Sequence, residues 1–244
     1  GGAGNLPPLR LYRALMLSAA EWGVVALSLK VSLTAMAATL PIAFALAWVL
    51  ARTRFPGRFL LDALVHLPLV LPPVVIGWLL LIAFGADGPV GRWLESWFGV
   101  TVIFRWTGAA IAAAVMALPL MVRAIRLSIE QIDRRLEGAA RTLGASRTHA
   151  FFTISLPLCF PGILAGTILG FARSIGEFGA TITFVSNIPG ETRTLPLAIY
   201  SALQVPGAEA EVLRLALISI ALSLGALIAS EALARRGQRS GHVF

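Results

Sequence analysis

Apolar runs dominate the chain. Five of them reach the length of about 20 residues that a helix needs to cross a bilayer. They cover 27–51, 60–86, 108–125, 160–185 and 212–233. This pattern predicts an all-α integral membrane protein with five transmembrane helices. A shorter, partly amphipathic stretch at 12–26 reads as an interfacial or partly inserted helix, with a sixth span there as the alternative. The organisation expected is an N-terminal tail or interfacial helix (1–21), one transmembrane domain (22–234) and a C-terminal tail (235–244).

Most polar segments between the runs are short and turn-like. The exception is 130–155, long, charged and helix-favouring, with Ala139, Ala140, Leu143 and Ala145 set among arginines. A polar element occupying about 129–158 on one side of a membrane domain is expected to meet a partner there. Leu136, Ala140 and Leu143 fall on one face at helical spacing. Gly144 is placed to end that helix as a C-terminal cap.

Arginine bias sets the orientation. Arg52, Arg54 and Arg58 follow the first run, and Arg235, Arg236 and Arg239 follow the last. Arg123, Arg126, Arg134, Arg135, Arg141 and Arg147 surround the long polar element. With five alternating spans all of these share one side, and only Arg92, Arg105, Arg193, Arg214 and the N-terminal charges lie opposite. The excess marks the cytoplasmic side, which puts the N-terminus outside and the C-terminus in the cytoplasm. Segment 88–107 carries Trp93, Trp97, Phe98, Phe104 and Trp106, as expected of a stretch lying along the outer surface. Segment 187–193 reads as an outer turn, either a plain connection or a place that receives a partner.

Two spans carry interruptions. Pro68, Pro72 and Pro73 fall within the second, where each removes a backbone donor and forces a kink or break. Irregular backbone at membrane depth needs cover from protein or a water-filled cavity. Pro72 and Pro73 are therefore candidates for a translocation pathway, with a packed structural kink as the alternative. His66 reads as a satisfied interfacial histidine. In the fourth span Arg173 and Glu177 sit four residues apart on one helical face. Intramembrane charges are costly and point inward, so the pair either locks the helices together or lines a path. Gly166, Gly170, Gly176 and Gly179 make the same span a packing centre, within one subunit or across a dimer axis.

Composition narrows the classes. Hydrophobic residues make up 57% of the chain and charged residues 13%, half the share of about 25% in soluble domains. The net charge of +8 belongs to loops between spans, so it is a topology signal and not a nucleic-acid face. Cys159 is the sole cysteine, which excludes an internal disulfide and a cysteine-based zinc cluster. The sole lysine, Lys30, stands in no phosphate-binding loop. No His/Cys/Asp cluster has metal-ligand spacing, and no serine sits in a nucleophile elbow. No catalytic residue, metal site or cofactor is expected in this chain.

The long polar element resembles the coupling motif of ABC importer permeases, E-A-A-x3-G-x9-I-x-L-P. Ala139 and Ala140 precede Gly144, and nine residues later come Ile154, Leu156 and Pro157. The strict glutamate place holds Gly138, and the acidic residue falls one earlier, at Glu137. The segments H-L-P-L-V-L-P-P-V-V-I-G, A-R-S-I-G-E-F-G-A-T-I-T-F and F-V-S-N-I-P-G-E-T-R-T extend the resemblance to permeases of the molybdate branch, over about 22–233. The related sulfate branch shares the glutamate-bearing segment. The resemblance implies a type I importer fold and a homodimer of permeases. It implies two cytoplasmic ATPase subunits that bind ATP and magnesium and grip the coupling residues Glu137, Ala139, Ala140, Gly144, Ile154, Leu156 and Pro157. It implies an extracytoplasmic protein delivering the oxyanion, in a prokaryotic inner membrane. Molybdate or tungstate is the expected substrate. Sulfate or thiosulfate is the alternative, and an unrelated secondary transporter or membrane enzyme a more distant one.

Overall fold

The structure, a computed structural model, describes residues 17–240, and the side chains among them except those of 230 and 233–240. Every regular element among the described residues is helical. Helix α1 (Ala19–Arg52) is followed by α2 (Arg58–Val70), α3 (Pro73–Phe84), α4 (Pro89–Phe98) and α5 (Trp106–Glu130). Then come α6 (Arg134–Thr142), α7 (Arg147–Ala150), a π-helical turn (Phe151–Ser155) and α8 (Leu156–Ile175). The chain closes with α9 (Gly179–Val185), α10 (Leu195–Ala202) and α11 (Glu209–Ser240).

Among the described residues, four continuous helices are long and apolar enough to span a bilayer: α1, α5, the run Arg147–Ile175 and α11. The pair α2–α3 makes a fifth if its two halves are counted as one span, bent by 115°. The bend falls at Leu71–Pro72, where two adjacent prolines end one helix and start the next. Pro73 suits a helix start because the donor it lacks would have no partner there anyway.

Two expectations are corrected. The apolar stretch 160–185 is not one helix: α8 stops at Ile175, and α9 begins afresh at Gly179. The buried Glu177 carboxylate, one residue ahead of the N-cap Phe178, accepts from the Ala180 backbone N–H at 2.8 Å in the first turn of the new helix. At the other end the helix reaches back through the π turn to Arg147, well before residue 160. Nor is there a separate helix ending near 26. Residues 19–26 are the opening turns of α1, started by a capping box between Ser18 and Glu21; the earlier part of 12–26 lies outside the described residues.

Helix α5 is the centre of the packing. Ala109, Ala110, Ala112, Ala113, Met116, Ala117, Met121, Val122 and Ile125 are all buried along it. Small side chains let backbones approach closely, which in a membrane replaces the missing hydrophobic drive between helices. Gly166 and Gly170 of α8 face α5 and α1 within the subunit. A methyl added at Gly170 would come 2.8 Å from both Met121 Cγ and Met36 Sδ. The two broken spans also pack on each other. A methyl at Gly77 of α3 would lie 2.5 Å from the Ala180 carbonyl oxygen of α9, and one at Gly179 would lie 2.8 Å from Pro73 Cβ.

Candidate functional site

Helix α6 stands at one end of the bundle, beside the last turn of α1 and the π turn. Its sequence builds it from both ends. Asp133 is the N-cap and accepts from the Arg135 backbone N–H at 2.9 Å. At the other end Ala145 N–H reaches the Ala140 carbonyl at 3.0 Å and Gly144 N–H the Arg141 carbonyl at 3.1 Å. That is a Schellman closure, and Gly144 holds its left-handed position with φ of +92°. The expected helix and its terminating glycine are thus both present, with bounds of Arg134–Thr142.

Ser146 opens α7, accepting from His149 N–H at 3.1 Å. The chain then takes a wide turn, Phe151–Ser155, in which Leu156 N–H bonds the Phe151 carbonyl. Pro157 follows at once and has no N–H to give, so the widened register costs little there. Ile154 and Leu156 are half-buried, and Pro157 is exposed.

Glu137 joins these pieces. Its Oε1 accepts from Arg52 Nη2 at 2.8 Å and from Ser155 Oγ at 2.6 Å. One carboxylate oxygen therefore ties together the end of α1, α6 and the I-x-L-P segment. The acidic residue one place ahead of the strict motif position is well placed for this. Sequence reasoning missed both partners: Arg52 lies 85 residues away in the chain, and Ser155 occupies the undefined position of the motif. Arg52 also sits over the Trp48 ring, 5.2 Å from its centroid.

The two leucines on the apolar side of α6 are exposed among the described residues. Leu136 is 48% exposed and Leu143 89%. No residue of α6 is buried. Helix α6 is thus held by its caps and one ion pair, with leucines exposed on its far face.

The second group of candidate residues lies deeper. Arg173 Nη1 is 2.7 Å from Glu177 Oε2, an ion pair. Glu177 is 2% exposed and Arg173 28%. The break that holds Glu177 is next to the break at Pro72 and Pro73, through the contact of Gly179 with Pro73. Nearby Ser174 donates to Ser32 at 2.9 Å, tying α8 to α1. His66 Nδ1 lies 2.8 Å from the Asp62 carbonyl oxygen, a satisfied histidine as expected.

The far end of the molecule is braced separately. Arg214 of α11 pairs with Glu21 of α1 at 2.8 Å. In the turn at 187–193, Thr192 is fully buried and bonds Ile188 N–H and the Ser186 carbonyl, while Arg193 and Ser201 hold Asn187.

Comparison with known proteins agrees with this architecture. Residues 40–239 match the family model described as binding-protein-dependent transport system inner membrane component. The chain is 59% identical over 221 residues to the molybdenum transport system permease protein ModB of Escherichia coli K12, covering 91% of this chain and 96% of that one. It is 43% identical to the sulfate transport system permease protein CysT of the same organism, over 65% of this chain and 57% of the other. Among solved structures, a bacterial ABC transporter involved in import of the acidic polysaccharide alginate superposes with a TM-score of 0.68 at 18% identity, covering 97% of this chain and 85% of that one.

Proposed function

This chain belongs to the family of binding-protein-dependent transport inner membrane components, and we propose that it is the permease through which an ATP-driven importer carries molybdate or tungstate into the cytoplasm. It is a multi-pass protein of the inner membrane. The observation that carries the substrate is the likeness to molybdenum permeases along nearly the whole chain, against a shorter and weaker likeness to sulfate permeases.

In this reading two copies form the pathway in one transmembrane domain each (22–234), with N-termini outside and C-termini in the cytoplasm. Two cytoplasmic ATPase subunits bind the ATP and magnesium, and an extracytoplasmic protein delivers the oxyanion. Helix α6 seats its Leu136, Ala139, Ala140 and Leu143 side in a cleft of the ATPase. Closure of the ATPase pair moves α6 as a rigid body. The Glu137 contacts pass that motion to α1 and to the Ile154–Pro157 segment, while Gly144 keeps the end of α6 square.

The pathway runs past the two helix breaks. Pro72 and Pro73 remove backbone donors there, and the Arg173–Glu177 pair supplies a cation beside which an anion can pass. A neutralised pair suits transit, because an unpaired arginine would hold a dianion too tightly to release it.

The test is uptake and ATP hydrolysis in proteoliposomes holding this chain with its ATPase and binding protein. Stimulation by molybdate and tungstate but not sulfate is the expected result. Stimulation by sulfate would move the substrate to the sulfate branch. Gradient-driven uptake without any ATPase bound would overturn the mechanism.

A further inference from the structure

We propose that the cavity between α6 and the membrane end of α1 is a binding site for the phosphate group of an anionic membrane lipid. The cavity has a volume of about 380 Å3. Trp48 and Phe151 line one part of it, and Arg134, Arg141 and Arg147 with Glu137 line the rest. This site rests on the cytoplasmic placement of α6 proposed above, and on nothing about the transported substrate.

Charge is the first argument. Arg52 stands beside the cavity, against Trp48 and Glu137. Three further guanidinium groups, of Arg134, Arg141 and Arg147, line the cavity together with Glu137. That carboxylate is already engaged by Arg52 and Ser155. Arg134, Arg141 and Arg147 make no ion pair with any carboxylate among the described residues. The Arg52 side chain is only 10% exposed, and its Nε is buried without a hydrogen-bond partner. Arg52 does not itself line the cavity, so Arg134, Arg141 and Arg147 are the cations open to a phosphate there.

The shape of the site argues for a lipid over a soluble anion. Phe44, Trp48 and Phe151 form a ring cluster, with Trp48 and Phe151 edge to face at 5.0 Å. Phe152 stacks edge to face on Phe151 at 4.9 Å and is 63% exposed. Leu158 and Phe160, exposed on the first turns of α8, continue the apolar surface. Aromatic rings mark the level of the headgroups, and a basic pocket at that level is the pattern that recognises anionic headgroups. A free oxyanion has no use for the aromatic floor.

Helix geometry separates this site from the ATPase. Arg134, Glu137, Gly138 and Arg141 recur at three- and four-residue spacing and form one face of α6, the face on the cavity. Leu136, Ala140 and Leu143 form the opposite face, which the docking reading uses. An ATPase cleft can therefore cover the leucines while a lipid occupies the arginine side. A lipid there would wedge α6 against α1 and stiffen the joint that Glu137 makes.

Native mass spectrometry of the permease–ATPase complex, exchanged into mixed phosphatidylglycerol and phosphatidylcholine, tests this directly. Retention of phosphatidylglycerol over phosphatidylcholine is expected. A double variant, Arg141→Gln with Arg147→Gln, should retain it about twenty-five-fold less, from roughly a fivefold contribution per arginine at an anionic surface. Arg141→Lys with Arg147→Lys should restore most of the retention, which separates charge from misfolding. Equal retention by the wild type and the glutamine variant would overturn the proposal. So would displacement of the lipid by free phosphate or molybdate, which would assign the site to a soluble oxyanion. Loss of the ATPase subunit from the glutamine variant, with lipid retention unchanged, would assign the arginines to the ATPase instead. Should no ATPase copurify with the wild type, the importer reading fails while lipid retention remains readable on the permease alone.

Discussion

The packed interior and helix α6 solve opposite problems with the same alphabet of small residues. In the interior, alanines and glycines of α3, α5, α8 and α9 bring backbones together until an added methyl would meet a carbonyl oxygen. On α6, Gly138 and Ala139 are as small but exposed, and nothing lies near an added methyl at Gly138. Small residues inside are the contact itself. On α6 they leave room for a contact the chain does not make with itself. The interior is held by many weak contacts spread over long helices. Helix α6 is held by a few strong polar points, its caps and Glu137, so its rigidity depends on individual atoms.

The sharpest way to break the comparison is on the packed side. Gly77→Val should destabilise the permease by about 3 kcal/mol, because its Cβ meets backbone that cannot shift. Thermal unfolding in detergent reads this, and a variant as stable as the wild type would show that α3 and α9 do not pack as described. Next comes the pin on the other side. Glu137→Ala strands the nearly buried Arg52 and should cost about 2 kcal/mol locally. Hydrogen exchange should rise across 134–143 and stay unchanged in α5; uniform exchange would mean that α6 is not held by this residue. Gly144→Ala should cost about 1 kcal/mol through its left-handed backbone position. That loss should appear as lower transport per ATP hydrolysed, with assembly intact. The smallest effect on the permease alone belongs to Leu143→Ala, within about 0.5 kcal/mol for a side chain facing solvent. Its ATPase affinity should nonetheless fall about tenfold, from the loss of one leucine burial at the interface. Unchanged affinity would remove the leucine face from the docking surface.

What the sequence made legible follows the same division. Spans were readable because crossing a bilayer demands a run of apolar residues, and the break at Pro72 because proline leaves no alternative. The break at Gly176 was hidden: glycines in an apolar run read equally as packing positions, and only the bond from Ala180 N–H to the buried Glu177 distinguishes them. The early start of α1 had a local sign, the Ser18–Glu21 capping box, which an amphipathic reading of 12–26 passed over. The partners of Glu137 had no such sign. Pairing across 85 residues depends on how α1 and α6 meet, which no local pattern encodes.

Helix α1 has a mechanical consequence. It is one element of 34 residues, joined near its start to Arg214 and at its end to Glu137. At 1.5 Å per residue it is about 50 Å long. A tilt of about 10° pivoting at the Glu137 joint would carry the opposite tip through roughly 9 Å, a lever arm reaching from one face of the membrane to the other. A slight rotation of α6 about that joint would thus arrive magnified on the far side so long as α1 stays straight through Pro41, which lies inside the same continuous helix.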